Sequence, residues 1–182
     1  MTRLNLVENT TDTKTHELLE LTKSRLGLVP NMTRVMANSP AVLEGYLGLS
    51  GSLGGGTLPA RIREQIAILS AEVNGCAYCL SAHTAIGKMV GLEPADIESA
   101  REGGSTDPKE HAALAFAGRV IETGGGVEAS EVERVREAGF SDDQIAEIVG
   151  SVALNLFTNT FNRAFDVEID FPLVEPRGCE TC

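Results

Sequence analysis

Cys76-Ala77-Tyr78-Cys79-Leu80-Ser81-Ala82-His83 is the stretch on which the reading of this chain turns. It follows a segment from Arg61 to Val73 with apolar residues at Ile62, Ile66, Leu69 and Val73, the spacing of one helical face. Asn74-Gly75 breaks that pattern, and a second helix is predicted to begin at Cys76. On it Cys76, Cys79 and His83 fall at i, i+3 and i+7 and share a face. The cysteines occupy the opening turn, where unpaired N–H groups and the helix macrodipole favour negative charge.

If the chain reverses at Asn74-Gly75, Glu64 lies about 13 Å down the first helix and His83 about 10 Å along the second, at similar heights. The carboxylate can then orient the imidazole, and the imidazole can take a proton from Cys79, directly or through a water. Only a thiolate is nucleophilic, and an ordinary thiol, with a pKa of about 8.5, is mostly protonated at neutral pH. A base and a helix N-terminus beside a CxxC pair therefore point to thiol redox chemistry, with peroxide as the oxidant.

The rest of the chain reads as short helices. Thr15 to Leu26 forms an amphipathic helix ended by Gly27 and Pro30, and Ser39-Pro40 opens another to about Leu49. Gly51 to Gly56 reads as a flexible loop, with Thr57 capping the Glu64 helix. Asp107-Pro108-Lys109-Glu110 starts a helix to Glu122, Gly124 to Gly126 separates it from Ser130 to Ala138, and Ser141-Asp142-Asp143-Gln144 is a capping box for a long helix, 145 to 165. No strand-like alternation exceeds four residues. The expected fold is all-α, one domain over residues 1–170, with 171–182 a flexible tail carrying a second pair, Cys179 and Cys182.

These residues resemble the alkyl hydroperoxidase D family of the carboxymuconolactone-decarboxylase-like superfamily. Glu64, eleven residues, Cys76-x-x-Cys79, three residues and His83 match its signature in type and spacing. Gly27-Leu28-Val29-Pro30-Asn31 with Ser39-Pro40-Ala41-Val42-Leu43 is similar to the entry of its peroxidase-related members, and Asn155-x-x-x-Asn159-x-x-Asn162-Arg163 to their last helix. The resemblance spans roughly residues 20 to 170 and implies a compact multi-helix domain with the CxxC at the N-terminus of a central helix. It implies that Cys79 attacks a hydroperoxide, that Cys76 resolves the sulfenic acid to a disulfide, and that Glu64 and His83 relay protons. It also implies a dithiol or lipoyl-type protein reductant, a homo-oligomer of trimers or their multiples, and no cofactor beyond the redox disulfide. The best-known member has a histidine between the cysteines where this chain has Tyr78, which can donate a hydrogen bond but not act as a base near neutral pH.

Other chemistries compete for the same residues. C-x2-C-x3-H with a glutamate could ligate zinc in a metal-binding or redox-sensing module, but structural zinc sites draw ligands from two separated pairs. A general dithiol–disulfide oxidoreductase would use the same pair on protein disulfides. Lactone decarboxylation, the other chemistry of the superfamily, does not rely on a CxxC. Glu64 could equally be a solvated helix residue paired with Arg61 or Lys88, and His16 and His111 read as surface residues.

Composition narrows the partners. The 182 residues carry a formal net charge of −11, which argues against nucleic-acid and anionic-membrane binding. Met1 to Thr15 lacks an apolar signal region and no run approaches a membrane span, so the expected location is cytoplasmic. Asn155, Asn159 and Asn162 form an amide stripe on the otherwise apolar last helix. Backbone or intersubunit hydrogen bonds are the favoured reading for them, and a border to the thiol site the alternative. So apolar a helix also fits burial against other protomers.

Overall fold

The computed structural model describes residues 2–8 and 10–177. Among them the chain forms α1 (Thr13–Leu26), α2 (Asn31–Met36), α3 (Pro40–Gly54), α4 (Ala60–Val73), α5 (Ala77–Met89), α6 (Pro94–Arg101), α7 (Pro108–Thr123), α8 (Ala129–Glu137) and α9 (Asp142–Phe165), and no strand. No described helix is long and apolar enough to cross a membrane.

Local chemistry sets most of the boundaries. Asp12 accepts from the Thr15 amide at 2.7 Å to start α1, and Gly27 at φ +76° closes it. Asp107 accepts from the amides of Lys109 and Glu110 to start α7. Ser141 and Gln144 form the reciprocal box that starts α9. The 74–75 reversal needs a left-handed residue, which Gly75 supplies at φ +63°.

The core centres on α4, which packs against α5, α6, α7 and α9. Ile66, Ile68, Leu80, Leu114 and Ile148 are fully buried between these helices, each worth about 1.5–3 kcal/mol of transfer free energy. A polar knot fixes α4 from its other side. Buried Glu110 takes Arg61 Nε at 2.6 Å, Gln65 Nε2 at 2.7 Å and Ser105 Oγ at 2.8 Å, and Arg61 also pairs with Asp96 at 2.9 Å. Arg61 is thereby committed away from Glu64.

Several expectations are corrected. The glycine-rich segment 51–56 is not a loop throughout, because α3 continues to Gly54. Arg25 explains the composition: its Nη1 donates to Leu47 O at 3.1 Å and lies 2.7 Å from where a Cβ on Gly51 would sit. Thr57 does not cap α4, whose N-cap position is Pro59. The Thr57 hydroxyl instead donates to Asp143 at 2.8 Å, while Glu147 accepts from the Thr57 and Leu58 amides at 3.0 and 2.6 Å. The helices α2 and α6 are additional to those predicted. On α9, Ile145, Ile148 and Val152 are buried, but Val149, Leu156 and Phe157 are exposed at 41%, 51% and 39%.

The segment expected to be a free tail from residue 171 is docked as far as it is described. Phe171 packs edge-on against Tyr78, with ring centroids 5.7 Å apart. The Val174 amide donates to Ser81 Oγ at 2.9 Å, Arg101 donates to Glu175 O at 2.9 Å, and the Arg177 amide donates to Glu72 at 2.6 Å. Cys179 and Cys182 lie outside the described residues.

Candidate active site

The α4–α5 hairpin brings the signature residues together. Cys76 is the N-cap of α5, and its Sγ accepts from the Cys79 amide at 3.3 Å. The Cys76 amide in turn donates to Ala71 O on α4 at 2.9 Å, which locks the turn to the first helix. Cys79 thus sits in the first turn of α5, where the macrodipole favours a thiolate. Both thiols are free and nearly closed to solvent, Cys76 at 1% and Cys79 at 3% exposure.

Glu64 Oε2 and His83 Nδ1 are 2.8 Å apart across the hairpin, with side chains 18% and 23% exposed. Burial pulls the imidazole pKa down, but the Glu64 carboxylate more than reverses this, so His83 titrates above its ordinary value. No hydrogen bond joins His83 to Cys79 Sγ. Their coupling is through charge, within one cavity of about 260 Å³ lined by Glu64, Cys79, His83, Tyr46, Ile86 and Phe171 among others.

The two sulfurs are driven in opposite directions. Burial pushes the Cys79 thiol up, but hydrogen bonds from Cys76 and Asn162 and the charge of His83 outweigh it and bring Cys79 down to about 7. Hydrogen bonding to Cys79 and burial hold Cys76 well above the usual thiol range. One sulfur is therefore about half ionised near pH 7, while its neighbour stays protonated.

Asn162 Nδ2 is 3.2 Å from Cys79 Sγ and equally 3.2 Å from Met32 Sδ. Sequence reasoning favoured backbone or intersubunit bonding for the amide stripe, and that describes Asn155, which donates to Ser151 O at 2.9 Å. For Asn162 it is wrong, because this amide serves the thiolate. Asn159 accepts from Asn74 Nδ2 at 2.9 Å, tying α9 to the hairpin turn; its own Nδ2 is buried with no hydrogen bond within ordinary distance among the described residues, and its amide adds to the lowering of Cys79.

Tyr78 is buried, and its hydroxyl accepts from the Met32 amide at 3.1 Å, pinning α2 against α5. Burial raises its pKa far out of reach of proton transfer near neutrality. Tyr46, which sequence reasoning missed, lines the same cavity. Its hydroxyl stays neutral because of burial and the negative charges of Cys79 and Glu64. Nothing in its local sequence marks it, since it lines the cavity only through the packing of α3 on α1, α2 and α9.

Among the described residues no group of three or more His, Cys, Asp or Glu is placed to hold a metal ion. His16 and His111 are exposed.

Cys76 borders a second opening. On the far side of the pair, a cleft of about 600 Å³ is lined by Gly75, Cys76, Arg163, Arg3, Leu173 and Glu175 among others. The cavity of Cys79 and the cleft of Cys76 are distinct.

Residues 40–119 match the model of the carboxymuconolactone decarboxylase family, a span containing Glu64, both cysteines and His83. No curated protein matches significantly. Among solved structures, an uncharacterized peroxidase-related protein from Silicibacter sp. superposes with a TM-score of 0.81 at 25% identity, covering 92% of this chain and 91% of that one. A peroxidase-related alkylhydroperoxidase AhpD core from Ralstonia eutropha superposes with a TM-score of 0.82 at 22% identity, over 93% and 92%. A debrominase shares the fold at 23% identity, with a TM-score of 0.72 over 87% of each chain.

Proposed function

We propose that this chain, whose residues 40–119 match the carboxymuconolactone decarboxylase family and whose fold is that of peroxidase-related, alkyl hydroperoxidase D-like proteins, is a thiol-dependent hydroperoxide reductase. The observation that carries this reading is the asymmetry of the thiol pair. Cys79 is drawn down to about 7 at a helix N-terminus, and the Glu64–His83 pair sits in the same cavity. A low-pKa thiolate beside an imidazolium is what cleavage of an O–O bond requires.

The Cys79 thiolate attacks the terminal peroxide oxygen. The S–O bond forms as the O–O bond breaks, and the departing alkoxide takes a proton from His83, whose charge Glu64 supports. Cys76, still a thiol, then gives up its proton and attacks the sulfenic acid sulfur, releasing water and closing the Cys76–Cys79 disulfide. A dithiol reductant, protein-borne or lipoyl-type, returns the two electrons by thiol–disulfide exchange. The apolar side chains of Tyr46, Ile86 and Phe171 on the cavity wall favour an organic over an inorganic hydroperoxide.

The test is single-turnover consumption of an organic hydroperoxide by the reduced protein. Cys79→Ser should abolish it, and Cys76→Ser should permit one turnover that stops at a trappable sulfenic acid. Loss in both variants with no sulfenic acid in either would reject these roles. Faster turnover of protein disulfides than of any peroxide would mark a dithiol–disulfide oxidoreductase instead.

A further inference from the structure

The two sulfurs face different spaces. Cys79 lines the cavity it shares with His83, whereas Cys76 lines the separate cleft of about 600 Å³ beside Arg163, Leu173 and Glu175. Once the pair has closed to a disulfide, two electrons must return through one of these openings. Thiol–disulfide exchange is a displacement at sulfur: the attacking thiolate approaches along the S–S bond, opposite the sulfur that leaves. Attack on Cys76 therefore comes from the side away from Cys79, which is the side of the cleft. It also expels the better leaving group, because Cys79 is the thiol of lower pKa.

Arg3, Arg163, Asp166, Glu168 and Glu175 supply the charges of the cleft wall. Arg3 is committed, its Nη1 donating to Ala164 O at 2.9 Å. Arg163, in the last turn of α9, is exposed and uncommitted. Among the described residues no hydrogen bond or ion pair holds its guanidinium, whereas every other arginine has at least one. In a chain with 26 acidic against 15 basic residues, an arginine without a carboxylate is unusual. Its charge bears on Cys76, whose ionised form it favours. The preceding residue, Asn162, holds Cys79 Sγ at 3.2 Å, so one turn of α9 serves both sulfurs.

We infer that the Cys76 cleft is the entrance for the reductant, and that Arg163 draws the reductant's thiolate onto Cys76 Sγ. This rests on the reading of Cys76 and Cys79 as the redox pair. The incoming thiolate bonds to Cys76 Sγ as the Cys76–Cys79 bond breaks, and Cys79 leaves as a thiolate. The second thiolate of the dithiol then attacks the reductant's own sulfur in the mixed disulfide. Cys76 departs as a thiolate beside Arg163 and takes up a proton, and the reductant, now a disulfide, has given up two electrons. The guanidinium faces developing negative charge in both steps. Cys76 is only 1% exposed, so the reducing thiol must be carried on a narrow projecting group rather than on a flat protein surface. Peroxide and reductant thus reach the pair from opposite sides.

The test starts from full-length protein oxidised with diamide. Mercaptoethanol reduces the disulfide, excess iodoacetamide stops the reaction and alkylates the released sulfur, and peptide mapping locates both groups. Mercaptoethanol is expected on Cys76 and the alkyl group on Cys79; the reverse pattern would overturn the cleft as the entrance. Arg163→Gln should slow this reduction about tenfold, the low end of what a facing charge gives an incoming anion, and Arg163→Lys should restore it. Reduction by tris(hydroxypropyl)phosphine, an uncharged nucleophile, should proceed at the native rate in Arg163→Gln. An unchanged rate with mercaptoethanol, or equal slowing with both nucleophiles, would overturn the role of Arg163. Failure of the reduced protein to consume hydroperoxide would reject the peroxidase reading alone, because the diamide-oxidised protein still decides the entrance. Failure of diamide to link Cys76 to Cys79 would reject the redox pair and this inference with it.

Discussion

Glu64→Gln isolates the charge of the carboxylate while keeping its shape. In the native protein Oε2 lies 2.8 Å from His83 Nδ1, and this charge lifts the imidazole above its ordinary value against the pull of burial. A neutral amide leaves burial unopposed. Opposite charges at this distance shift a pKa by about one to three units, so at pH values above the native midpoint the imidazolium fraction should fall by roughly 10- to 1000-fold, and by less below it. General-acid assistance is worth about 10²–10⁴ in rate, so most of that loss should reach the O–O cleavage step.

The direction with pH follows from the two groups. Activity rises as Cys79 loses its proton near 7 and falls as His83 loses its own, so the single-turnover rate is bell-shaped. In Glu64→Gln the descending limb moves to lower pH, which shrinks the window in which thiolate and imidazolium coexist. The optimum should therefore drop in height and shift toward acid. Cys79 should also titrate higher, because it loses part of the His83 charge. Stopped-flow peroxide consumption from about pH 5 to 9 measures the first effect, and the pH dependence of iodoacetamide alkylation of Cys79 measures the second. A Glu64→Gln profile that superimposes on the native one in height and position would refute the proton relay.

Asn162→Ala removes the amide 3.2 Å from Cys79 Sγ; a hydrogen bond to a charged group is worth about 1.5–3 kcal/mol, so the Cys79 alkylation midpoint should rise by roughly one to two pH units. Tyr78→Phe should act on stability instead, since it leaves the buried Met32 amide without its acceptor; a loss of about 1–3 kcal/mol in denaturant unfolding with little change in the Cys79 midpoint is expected, and a large midpoint shift would return Tyr78 to the chemistry.

How much of this could be read in advance differs from element to element. The all-α fold was legible in the helical spacing of 62–73 and in the caps at Asp107 and Ser141, because periodicity and capping are local. The placement of Cys76 at the head of α5 was legible for the same reason, with Asn74-Gly75 marking the reversal. The six-residue α2 is too short to show a period, and α6 starts with a Glu93/Asp96 capping box rather than a Ser or Thr signal. Gly51 misled, because glycine there makes room for Arg25, a contact with a residue far away in sequence. The roles of Asn162 and Tyr46 were illegible for a related reason: each reaches the cavity from a helix remote in sequence.

The grip of Glu147 on the Thr57 and Leu58 amides bears on how portable the redox hairpin is. A carboxylate of α9 holds the segment that leads into α4, the helix of Glu64, and the same helix delivers Asn162 to the sulfur and Asn159 to the turn. A graft of residues 60–89 into a foreign scaffold would carry every residue of the signature yet deliver an ordinary, sluggish dithiol. Whoever wishes to transplant the chemistry must move α9 with it.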